Sequence, residues 1–142
     1  MSPCCSGRSI ASIRSRTRRS CSRAPLAPAP DRRVLLQIGL GDPQVPNVGS
    51  FIHARALGIP QATPAPATIF GLAQVADADA PSSLTLFDFH VDTTGYAEGK
   101  PISANVVHGG VRVNAAALRQ MEAFMKPGGV ITHACDGPCD PE

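Results

Sequence analysis

The stretch Val34-Leu35-Leu36-Gln37-Ile38-Gly39-Leu40-Gly41-Asp42-Pro43 is a mostly apolar, branched run halted by two glycines, an aspartate and a proline. Apolar side chains at successive rather than alternate positions mark a strand covered on both faces, and such strands belong to parallel sheets flanked by helices. The glycine-flanked stop predicts a tight loop beyond the end of a first strand over 34–38. Working outward, Val48, Phe51, Ile52 and Leu57 recur at helical spacing behind Asn47, a capping residue type, before Gly58 and Pro60. A short amphipathic helix over 48–57 is therefore predicted.

Residues 59–83 hold Pro60, Pro64, Pro66 and Pro81 and predict an irregular excursion with little regular structure. Leu84, Leu86, Phe87, Phe89 and Val91, around Asp88 and His90, predict a second strand over 84–91, its alternation failing at Phe87. A loop over 92–105 then leads to Val106-Val107-His108-Gly109-Gly110, which reads as a loop before a helix over 115–126 capped by Asn114. In that helix Ala117, Leu118, Met121, Phe124 and Met125 form the expected buried stripe, with Arg119, Glu122 and Lys126 outward and Pro127-Gly128-Gly129 ending it. Strand, helix, strand, helix is the order of part of an α/β layer.

Charge divides the chain at the start of the first strand. Residues 1–33 carry eight arginines against Asp31 alone, +7, while the remainder carries five basic and ten acidic groups, −5. Residues 1–32, rich in Arg, Ser and Pro and without apolar periodicity, are expected to form a disordered basic arm. Residues 33–131 form the predicted α/β unit and 132–142 a cysteine-containing tail. With Ile10, Ala11 and Ile13 interrupted by Ser12 and Arg14, neither a signal peptide nor a membrane span is expected. An organellar transit peptide, a nucleic-acid tail or a misplaced reading frame are the other readings of the arm.

Asp42 lies where open α/β sheets place ligand groups, just past the end of a buried strand, although a Gly-Asp-Pro sequence is also an ordinary turn. His108 has its own two readings, a proton-exchanging group or a merely hydrogen-bonding one. An aspartate that orients an imidazole is the base half of nucleophilic hydrolysis, which gives the two residues meaning as a pair. His53 on the first helix reads as an interface or cap residue. Asp88, His90 and Asp92, spaced by two, would share one face of an extended strand and there hold a divalent ion; the alternative is a surface without one.

The run from Val34 to Ile38 followed by Gly39-Leu40-Gly41-Asp42-Pro43-Gln44-Val45-Pro46 resembles the penultimate strand and acid loop of α/β-hydrolases, which read G-x-x-D-x-x-V-P. Val107-His108-Gly109-Gly110 before an amphipathic helix resembles that family's histidine segment. The resemblance covers residues 33–129, the last third of a full enzyme. It implies a partial α/β-hydrolase-like unit in which Asp42 is the triad acid and His108 the triad histidine. Departures accompany it. No G-x-S-x-G occurs, Ser50 lies in a helix after the acid, and the gap from Asp42 to His108 implies an inserted segment between 60 and 105.

The tail His133-Ala134-Cys135-Asp136-Gly137-Pro138-Cys139 admits a small disulfide loop between Cys135 and Cys139, free thiols, or a metal site with His133 and Asp136. Its ending is also similar to those of secreted bacterial hydrolase-like proteins, and a disulfide is compatible with an extracellular parent protein. No cofactor is expected.

The functional expectation is a serine-hydrolase-like fragment of esterase or lipase type that keeps the acid and histidine, lacks the nucleophile and is inactive alone. The alternative is a small interaction protein, or one associating non-specifically with nucleic acid through its arginines. That arm carries no aromatic side chain on which a base would stack, so no specific nucleic-acid partner is expected. Self-association through unpaired strand edges is the remaining partner expectation, with Val34, Leu36 and Ile38 uncovered.

Overall fold

A computed structural model describes residues 32–76, 80–94 and 103–141; the expected arm lies outside them except for Arg32. In chain order the elements are β1 (Leu35–Gly39), α1 (Asn47–Leu57), β2 (Gln61–Thr63), β3 (Gln74–Ala76), β4 (Ser83–Phe87), α2 (Val107–Val113) and α3 (Ala115–Met125). This is a small mixed α/β fold. Among the described residues four strands form one sheet in the order β1-β4-β2-β3, and every pairing between them is parallel.

β4 is the centre of the arrangement. It pairs with β1 in the register Leu35↔Ser83 to Gly39↔Phe87 and meets β2 at Gln61↔Leu84. All five of its residues are buried, and alternation sends them to two cores. Leu84 and Leu86 join Ile38, Ala54, Leu57, Ile59 and Ile69 beneath α1. Phe87 joins Val107, Val111, Ala117 and Cys139 beneath α2 and α3. Each such Leu or Phe contributes about 1.5–3 kcal/mol when fully buried, so this one strand anchors both layers.

Several expectations need correction. The excursion over 59–83 contains β2 and β3, short strands that extend the sheet. The second strand stops at Phe87 rather than Val91, because Asp88 Oδ1 accepts from His90 N–H (2.9 Å) in a turn and His90 takes a positive φ of 51°. His108 lies in the first turn of α2, not in a loop. Ile38 is buried under α1, and Val34 and Leu36 pack partly against the same cluster, so the faces of β1 are not uncovered. β1 nevertheless ends the sheet among the described residues.

Both helical stripes are also rotated from expectation. In α1 the buried residues are Asn47, Ala54 and Leu57, while Val48 and Ile52 are more than half exposed. In α3 they are Ala117 and Gln120, and Leu118, Met121 and Met125 face outward. The cause lies in the sheet, which offers Gln37 and Thr85 to α3. Gln120 donates to Thr85 Oγ1 (3.0 Å) and to the Thr132 carbonyl (2.9 Å) and accepts from Gln37 Nε2 (3.0 Å). A buried amide satisfied in this way is tolerated where an apolar side chain would strand those partners. Gly58 and Asn114 behave as expected: the first ends α1 in the left-handed region, the second accepts from the N–H groups of Ala116 and Ala117.

Candidate active site

Asp42 stands three residues past β1, on the loop that Gly41 turns with a φ of 79°. Two asparagines hold this loop. Asn47 is buried at the start of α1, where its Oδ1 accepts from Gly41 N–H (2.8 Å) and its Nδ2 donates to the Gly39 carbonyl (2.7 Å). The N-cap position of α1 falls to Pro46, whose side chain makes no cap bond, and the Asn47 side chain holds the loop. Asn105 donates to the Gly41 carbonyl (2.9 Å) and accepts from Val107 N–H (3.0 Å). Thus it ties the loop carrying Asp42 to the first turn of α2, which carries His108.

The two oxygens of Asp42 divide the two readings of the residue between them. Oδ1 accepts from the N–H groups of Gln44 (2.8 Å) and Val45 (2.9 Å), forming the turn. Oδ2 lies 2.9 Å from His108 Nδ1, across 66 residues of sequence. Burial alone raises the Asp42 carboxyl. The N–H of Val45, the His108 ring, the N–H of Gln44 and the attraction of a protonated imidazole outweigh that and hold it below the usual aspartate value. An ionised carboxylate only accepts, so the proton lies on Nδ1, and in the neutral ring Nε2 carries the lone pair. The Asp42 side chain is 11% exposed and that of His108 26%, which shields the bond between them while leaving the ring within reach of solvent.

Close packing sets this geometry. α2 crosses directly over β1 at Gly39, where an added Cβ would fall against Val107 Cγ1 and Val111 Cγ2, and Gly110 gives similar room to Phe89. A cavity of about 130 Å³ opens beside the pair, lined also by Ile38, Gly39, Val45, Ser50 and Arg112. Ser50 reaches it from α1, downstream of the acid.

The other sequence candidates are dispersed or differently paired. His53 is exposed on α1. Asp88, His90 and Asp92 do not share a strand face: His90 Nε2 is 2.7 Å from Asp140 Oδ1 and its Nδ1 3.7 Å from Asp88 Oδ2, while Asp92 accepts from Thr94 N–H. Cys135 and Cys139 form a disulfide with a Cα–Cα distance of 5.3 Å. No described helix is long and apolar enough to cross a membrane.

Asn47 and Asn105 are the positioning residues that sequence reasoning misjudged or passed over. Asn47 follows Pro46 at a helix start, which is also where a cap would lie, and the loop's buried Gly41 N–H and Gly39 carbonyl pull it the other way. Asn105 had a usable signal, since Asn two residues before a helical turn commonly accepts from its N–H. Comparison of the chain with protein-family models, with curated proteins and with solved structures gives no match.

Proposed function

We propose that Asp42 and His108 are the acid and base of a hydrolase-type site, and that the region over 33–131 is a partial α/β-hydrolase-like unit whose nucleophile must come from elsewhere. The observation that carries this reading is the 2.9 Å bond between Asp42 Oδ2 and His108 Nδ1. It joins the loop after β1 to the helix that follows the adjacent parallel strand β4. An aspartate on Nδ1 fixes the tautomer that leaves Nε2 able to take a proton from a hydroxyl, and it stabilises the imidazolium then formed. The acid-then-histidine order along the chain supports the same assignment. The substrate class is acyl compounds, esters first, and an oxyanion would need amide donors that this pair does not supply.

Two measurements test the proposal together. Nitrogen-15 spectra of the imidazoles should find His108 protonated at Nδ1 in the neutral native ring and lose that preference in Asp42→Ala. The chain should hydrolyse an activated nitrophenyl ester no faster than the Asp42→Ala, His108→Ala double variant. A His108 ring protonated at Nε2 would remove the base role. Reproducible turnover abolished at Asp42, His108 or Ser50 would show that the chain already contains its nucleophile.

A further inference from the structure

Far from that pair along the chain, the tail builds a second group of reactive side chains. Residue 139 pairs with Phe87 as a parallel bridge, and Asp88 N–H donates to the Cys139 carbonyl, so the tail occupies the edge of β4 beyond the short β2. This places Cys139 in the second core, 1% exposed, among Phe87, Val107, Val111 and Ala117. Cys135 is only partly covered and lines an open cavity of about 440 Å³ together with Asn114, Arg119, Asp136 and Pro138. His133 donates from Nε2 to the Gly137 carbonyl inside the disulfide loop. One ligand atom each from His133, Cys135 and Cys139 lies within 4.8 Å of the others.

We propose that His133, Cys135 and Cys139 form a zinc site that is closed by the disulfide and opened by its reduction. The asymmetry of the two sulfurs sets the route. A thiolate of a dithiol reductant enters by the cavity and attacks Cys135 Sγ; the sulfur–sulfur bond breaks, and Cys139 leaves as a thiolate. The second thiolate of the reductant then attacks the mixed disulfide and releases Cys135. The dithiol becomes a cyclic disulfide, two electrons pass to the protein, and both cysteines are reduced. Zinc displaces any protons on the two thiols and binds two thiolates and a neutral imidazole.

The residue types and placement favour zinc over harder cations. Two sulfurs and one imidazole are soft and borderline ligands, and a tetrahedral ion needs its donors roughly 3.5–3.8 Å apart, given bonds of about 2.3 Å to sulfur and 2.0 Å to nitrogen. On reduction the two sulfurs must part from bonding distance to that separation, while the three ligand atoms start within 4.8 Å of one another and the two cysteine Cα atoms 5.3 Å apart. The Gly137 carbonyl on Nε2–H leaves the ring's lone pair on Nδ1, the outer-partner arrangement that commonly orients a ligating histidine. Two thiolates cancel the charge of the ion, so Cys139 can stay beside the apolar cluster without burying net charge.

Cobalt(II) is the probe, because thiolate coordination gives it absorption bands that zinc lacks. Cys4, Cys5 and Cys21 would compete, so the full chain should carry serine at all three, be reduced with a dithiol and be desalted without air. One equivalent of cobalt is expected to bind the reduced protein in a tetrahedral thiolate environment, and zinc to displace it. The oxidised protein should show no such spectrum. His133→Ala should weaken binding by more than about tenfold, since even outer partners of ligands act on that scale. Zinc should raise the Tm of the reduced chain and leave that of the oxidised chain unchanged, a readout that survives any loosening caused by reduction. Absence of the cobalt spectrum after reduction, equal binding by the oxidised protein, or indifference to His133→Ala would each overturn the proposal.

Discussion

Asp42 carries opposed demands in one carboxyl group, and its response to pH separates them. Its folded-state pKa is depressed, so its stabilising contribution is complete above the ordinary value near 3.8 and disappears as pH falls through the lower, folded value. In denaturant titrations the stability difference between the native chain and Asp42→Asn should accordingly be largest near neutrality and shrink below about pH 4. Asn47 permits a sharper decision. Loss of a helix cap costs about 1 kcal/mol. Loss of its two loop bonds strands Gly41 N–H and the Gly39 carbonyl, at about 1–3 kcal/mol each. Asn47→Ala should therefore cost more than about 2 kcal/mol in urea unfolding and broaden the His108 resonances. At this scale the sequence made Asp42 and His108 legible as candidates, since each is a titratable group beside glycines next to an apolar segment. It did not disclose the asparagines, whose partners are backbone atoms that become orphaned only once the loop has its shape.

Gly39 controls how one element seats on another. A methyl group there has no space beneath Val107 and Val111, so Gly39→Ala should lift α2 from β1 at a cost of about 1–3 kcal/mol. It should also weaken the Asp42–His108 bond, seen as loss of the downfield Nδ1–H resonance. On α3 the contrast runs between two side chains. Gln120→Leu leaves Thr85 and the Thr132 carbonyl without their donor, and about 1–3 kcal/mol of destabilisation is expected. Met125→Lys, at a position 74% exposed, should stay within about 0.5 kcal/mol. β1, α1, β4 and α3 were readable because glycines, prolines and Asn114 punctuate the chain, whereas α2 was not, because Gly109 and Gly110 within it read as loop. The buried faces were not, because spacing alone ranks Met121 above Gln120, whereas the sheet beneath presents Gln37 and Thr85. Likewise β2 and β3 have three residues each, too few for any period to register.

The molecule as a whole depends on a strand that arrives late. β4 lies between β1 and β2 in the sheet although both precede it in the chain. The parallel layer was legible from the doubly apolar first strand, but this order was not, because pairing partners far apart in sequence leave no local trace. A chain ended at residue 82 should show no cooperative unfolding transition by circular dichroism, while the full chain should show one. On a ribosome the same order means that β1 and α1 emerge with only each other to close upon, and must wait for roughly thirty further residues before Leu84 and Leu86 clear the exit tunnel, at a typical rate of about 5–20 residues per second. The first strand thus stays without its hydrogen-bonding neighbour for about 1.5–6 seconds of synthesis.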